Sequence, residues 1–125
     1  MREVGFFREL DQGDPSGPSI HEHKRQEADP HEDQIAAYLE SGIPILGGSG
    51  TFRALGEPEQ VIAVFQLVTD GEWVWRSDLP YYVRLYHLAL PAELLERMER
   101  NQWRVPRLSN DEVAAISRAW VFKQR

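Results

Sequence analysis

The segment from Val61 to Arg76 limits what this chain can fold into more than any other part of it. Val61-Ile-Ala-Val-Phe-Gln-Leu-Val68 is apolar on both faces and rich in β-branched residues, the pattern of a central, buried strand. Asp70-Gly71 follows as a two-residue hairpin signal, and Glu72-Trp-Val-Trp-Arg76 alternates with both tryptophans on one side. Upstream, Ile43-Pro-Ile-Leu46 reads as a strand start or an edge, because its proline cannot donate to a ladder. Thr51 to Leu55 alternates weakly, and Gly47-Gly-Ser-Gly50 reads as the hairpin loop before it. Residues 43–76 therefore predict a small antiparallel sheet of about three to four strands.

Helical signals flank that region. Asp29 as N-cap, Pro30 in the first turn and Glu32 at the capping-box position predict a helix from Pro30 to Ser41. Ile35, Ala36, Tyr38 and Leu39 form its inner stripe, with Gly42 as a left-handed closing residue. Asp78 or Ser77 opens a segment through Tyr86, and Pro91 opens a helix burying Leu94, Leu95 and Met98. Ser109 with Glu112 is a second capping box, leading to the stripe Val113, Ile116 and Trp120. The sum is an α+β fold, a small antiparallel sheet packed with flanking helices, in one domain spanning 1–125. Two prolines and two glycines in Asp11–Ser19 make 11–29 a mobile loop on this reading.

Charge narrows the function classes. The 125 residues carry 14 basic and 20 acidic side chains, a net charge of −6, which disfavours nucleic acid and anionic membrane as partners. The acids concentrate early: residues 1–42 hold ten acids and four bases, whereas 91–125 hold five acids and seven bases. Either the two ends pack together, or the acidic third meets a basic partner. The N-terminus lacks a signal-like apolar core and the longest apolar run is eight residues, so the protein reads as cytoplasmic. With no cysteine there is no disulfide, thiol nucleophile or Cys-ligated metal.

The glycine run lacks the lysine and helix of a phosphate loop, and Thr51 stands where a nucleophile elbow needs glycine. His21, His23 and His31 lie beside a loop at spacings that match no metal motif, and His87 stands alone. No nucleophile, base and orienting acid converge, so no catalytic set, cofactor or metal is expected. The densest chemistry is aromatic: Trp73, Trp75, Tyr81, Tyr82 and Tyr86, accompanied by Arg76, Arg84 and His87. Such a cluster is either core, with hydroxyls at its edge, or an exposed interface anchored by Trp, Tyr and Arg, or a seat for a flat-ring ligand.

Thr69-Asp-Gly-Glu-Trp-Val-Trp75, Asp78-Leu79, Tyr81-Tyr82-Val83, Tyr86-His87 and Leu90-Pro91 together resemble a family of short, uncharacterised actinobacterial proteins. Val4-Gly-Phe-Phe-Arg-Glu-Leu10 and Ala37-Tyr-Leu-Glu-Ser-Gly42 look similar to theirs as well, and the resemblance implies no particular activity. In size, acidity and lack of catalytic motifs the chain is also similar to bacterial toxin-immunity proteins, without a shared motif. The leading expectation is a non-enzymatic protein-binding module, an immunity-like inhibitor of a basic partner. The alternatives are a small-molecule pocket lined by Trp73, Tyr82, Tyr86 and His87, and a homodimer through the aromatic surface.

Overall fold

A computed structural model describes residues 1–123. Two long strands dominate it. β2 (Ile43–Ala54) and β3 (Glu57–Thr69) pair antiparallel and close at Leu55-Gly56, where Gly56 takes φ +78°. β4 (Trp73–Arg76) pairs antiparallel with the end of β3, setting Leu67 opposite Arg76 and Val68 opposite Trp75. β1 (Arg2–Glu3) then adds to β4 in parallel, giving the order β1-β4-β3-β2. The result is an α+β fold whose four-stranded sheet is mixed. Its antiparallel part is the one expected over 43–76, and its fourth strand comes from the N-terminus.

Four helices cover the sheet: α1 (Glu32–Glu40), α2 (Leu79–Tyr86), α3 (Ala92–Arg100) and α4 (Asn110–Lys123). The larger core lies on one face, where Tyr38 and Leu39 of α1, Tyr82 and Val83 of α2, and Leu94 and Met98 of α3 pack with Val68, Trp73 and Trp75. On the other face, Trp120, Val113 and Ile116 of α4 pack with Ile45, Leu67, Val74 and Phe6. The alternation of Trp73, Val74, Trp75 and Arg76 across the sheet feeds both cores from four residues.

Local chemistry accounts for most boundaries. At α4, Ser109 Oγ accepts the Glu112 amide and Glu112 Oε1 accepts the Ser109 amide, both at 3.1 Å, so the expected capping box is formed. Its counterpart at α1 is not. Asp29 Oδ1 accepts the His31 amide at 2.8 Å and braces the turn ahead of the helix, while Glu32 turns away to His87. Gly42 is required for a reason other than a left-handed turn. A Cβ there would stand 2.6 Å from Val68 Cγ2 and 2.8 Å from Trp75 Cζ2, so the chain passes too close to the core for any side chain.

The glycine run and the apolar run both behave differently from expectation. Gly47–Gly50 is not a hairpin loop: it lies within β2, where the five residues from Gly47 to Thr51 stand opposite only three on β3, from Gln66 to Val64. Glycine tolerates the bulge this mismatch creates. Val61–Val68 is central only at its end. β4 reaches no further than Leu67, so the first half of β3 has β2 alone for a neighbour, and Val61 and Val64 remain 51% and 58% exposed.

Residues 11–29 are tied to the body at several points. Glu9 accepts the Ser19 hydroxyl and the Ile20 amide, and Ile20 is fully buried at a 3₁₀ turn of Ile20–Glu22. The Arg25 amide and guanidinium bond the carbonyls of Tyr86 and His87.

Candidate functional site

The aromatic cluster divides into an inner and an outer set. Trp73, Trp75 and Tyr82 are at most 3% exposed and belong to the core, which removes them from any surface. The polar tips of Trp75 and Tyr82 are occupied. Trp75 Nε1 donates to the Leu39 carbonyl at 3.0 Å, and the Tyr82 hydroxyl accepts the Leu55 amide at 2.8 Å, bracing the hairpin against α2. Burial pushes the Tyr82 phenol up to about 12. The Arg2 guanidinium lies 4.2 Å over the Trp73 ring.

Arg76 is also inside. It is 2% exposed, donates from Nε and Nη2 to the Asp78 carboxylate at 3.0 and 2.8 Å, and reaches the Asp11 carbonyl at 2.6 Å. Burial pushes the Asp78 carboxyl up against the opposing pull of that guanidinium. Asp78 thus serves Arg76 and gives no side-chain cap to α2.

The four residues of the alternative pocket, Trp73, Tyr82, Tyr86 and His87, are engaged in packing and pairs of their own. Tyr86 stacks on Tyr82 at 6.0 Å with Lys24 over its ring, and His87 Nδ1 lies 2.8 Å from Glu32 Oε2. His87 also ends α2 in the left-handed conformation, φ +52°. His31 stacks on Trp103 at 5.0 Å and His23 packs on Phe7 at 5.4 Å. Among the described residues, no group of three or more His, Asp or Glu converges to hold a metal.

What stays accessible is the outer side of α2. Leu79, Tyr82 and Val83 take the inner stripe, which leaves Tyr81, Arg84 and Leu85 together on the opposite side. They face the uncovered half of the hairpin. Tyr81, Arg84 and Leu85 line an open groove of about 530 Å³ with Ile62 of β3 and with Ser77 and Pro80. Val64 lies two residues along the same face as Ile62, and the Ser77 hydroxyl donates to its carbonyl at 2.5 Å. Leu85 is 51% exposed, and Arg84 pairs with Glu40 across the groove's rim.

Compared with family models, curated proteins and solved structures, the chain finds no match. The site therefore rests on geometry. Of the residues singled out in the sequence, Tyr81 and Arg84 meet at this groove, Tyr86 and His87 lie to one side in contacts of their own, and Trp73, Trp75, Arg76 and Tyr82 are interior. Ile62 and Leu85 were missed as surface residues. For Leu85 a signal existed, since Tyr81, Arg84 and Leu85 recur at i, i+3 and i+4. For Ile62 none did: only the shortness of β4 uncovers it. No helix of the described residues is long and apolar enough to cross a membrane.

Proposed function

We propose that this chain is a non-enzymatic protein-binding module whose contact face is the groove between α2 and the β2–β3 hairpin. The observation that carries the reading is the meeting of Tyr81, Arg84 and Leu85 with Ile62 in one open groove, flanked by the exposed Val64. Exposed apolar groups that adjoin one another, with a tyrosine and an arginine among them, have the make-up of a protein interface. The partner is basic. A net charge of −6 favours it, and Glu22, Glu27 and Asp33 of the acidic third are exposed. An immunity-like inhibitor, occluding a basic surface without chemistry of its own, fits that description.

The test is comparative capture from host lysate with wild type, Leu85→Asp and Tyr81→Ala, each first checked for native circular dichroism. One basic protein held by wild type, released at high salt and lost by the folded variants, supports the proposal. Equal capture by all three overturns it. Self-association of the wild type in light scattering, abolished by Leu85→Asp, would assign the same groove to a homodimer instead.

A further inference from the structure

The opposite face of the sheet carries a second, independent concavity. A cleft of about 430 Å³ lies between Trp120 and the turn that contains Asp14. That volume falls within the range of small-ligand sites. Its walls are rings and branched chains: Phe6 stacked on Trp120 at 5.4 Å, Phe65 tilted against Phe52 at 5.1 Å, and Leu46. Arg76 also lines it, its guanidinium carbon 4.1 Å from the centre of the Phe52 ring.

The electrostatics select a sign. The Arg76 guanidinium is already paired with both Asp78 oxygens, so it offers little to an anion. Asp14, at the mouth, is solvent-exposed, and the amide and hydroxyl of Ser16 both donate to its Oδ1. Those bonds hold its carboxyl below the usual range, so it is charged throughout physiological pH. A planar apolar body between rings, with a positive group toward Asp14, meets all of these features at once.

We infer that this cleft binds a small aromatic amine, its ring among Phe6, Phe65 and Trp120 and its ammonium group toward Asp14. The site is independent of the α2 groove and stands or falls without it.

The probes are tryptamine and indole-3-acetate, which share a ring and differ in the sign of the side chain. Each is titrated into the full ¹⁵N-labelled chain while the Trp120 indole N–H resonance is followed. Tryptamine is expected to shift that signal saturably, and indole-3-acetate to bind about tenfold more weakly or not at all. Asp14→Asn keeps the oxygen that accepts from Ser16 and is expected to weaken tryptamine about three- to tenfold. Leu85→Asp is expected to leave binding unchanged, which separates this site from the α2 groove. Absence of a saturable shift at millimolar tryptamine, equal binding of the two probes, or an unchanged affinity in Asp14→Asn would each overturn the proposal.

Discussion

The Tyr38 hydroxyl of α1 donates to Asp70 Oδ2 at the end of β3 over 2.7 Å, and both residues are wholly buried. Asp70 has no spare capacity. Oδ2 also accepts Arg97 Nε at 2.9 Å, and Oδ1 accepts the amides of Glu72 and Trp73 at 2.9 and 2.8 Å. One carboxylate therefore shapes the turn into β4 and joins it to α1 and α3. Burial, with Asp70 next to it, raises the Tyr38 phenol well above its ordinary range.

Tyr38→Phe removes two hydrogen bonds, to Asp70 and from Asn101 Nδ2 at 3.2 Å, and leaves Asp70 paired with Arg97, so it is expected to cost about 1–2 kcal/mol. Asp70→Ala leaves the Glu72 and Trp73 amides without their acceptor and takes one partner each from Arg97 and the Tyr38 hydroxyl, and is expected to cost about 3–5 kcal/mol. Urea unfolding of the two variants measures both. Equal losses would show that the network does not centre on the carboxylate.

Trp75 is fully buried between α1 and β3, which makes it core. Trp75→Ala is expected to lose about 3–5 kcal/mol, or to prevent folding. Leu85→Ala, half exposed on α2, is expected to stay within about 0.5 kcal/mol of wild type. Thermal unfolding distinguishes them, and a tolerated Trp75→Ala would return that tryptophan to the list of surface residues.

Gly42→Ala tests the close approach of the chain to Val68 and Trp75. Its Cβ would need neighbours to give way at 2.6 and 2.8 Å, and the expected loss is about 1–3 kcal/mol. Gly48→Ala is the control. Its nearest neighbour beyond the adjacent residues, Phe65 Cδ1, is 3.7 Å away, so the change should stay within about 0.5 kcal/mol. Denaturant midpoints for the pair give the comparison.

Glu9 supplies a pH dependence with a definite sign. The Ser19 hydroxyl, helped by the Ile20 amide, lowers its carboxyl from 4.5 to about 2. A group depressed in the folded state stabilises the fold above its unfolded pKa and loses that contribution as pH falls through its folded one. The urea midpoint of wild type is thus expected to decline between pH 4.5 and about pH 2, and that of Glu9→Gln to decline less over the same window. Parallel declines would mean that Glu9 is not a source of the acid sensitivity.

Features whose cause lies within a few residues were legible in the sequence. The Ser109–Glu112 box forms as its spacing requires, a turn falls at Asp70-Gly71 although it runs longer than the two residues expected because Thr69 pairs with Val74, and Trp73 and Trp75 share one face because strand side chains repeat every two residues. The burial of Leu94 and Met98, four apart on α3, follows from helical period in the same way.

Partners distant in the chain were not legible. Glu32 has the local position for a capping box, yet it bonds His87, 55 residues away. Gly47–Gly50 has turn composition, yet pairing with β3 absorbs it as a bulge. Nothing in an apolar run records how far its neighbour extends, and the four-residue length of β4 is what exposes Val61 and Val64. The same applies to the aromatic cluster. Composition concentrated it, whereas helix packing buried Trp73, Trp75 and Tyr82 and left Tyr81 and Arg84 at a groove with Ile62. The four helices and the inner stripes of α1 and α4 thus came from the sequence by itself, because period and capping act over one or two turns. Only the tertiary structure decided which stripes are covered, because coverage depends on segments that meet across the whole chain.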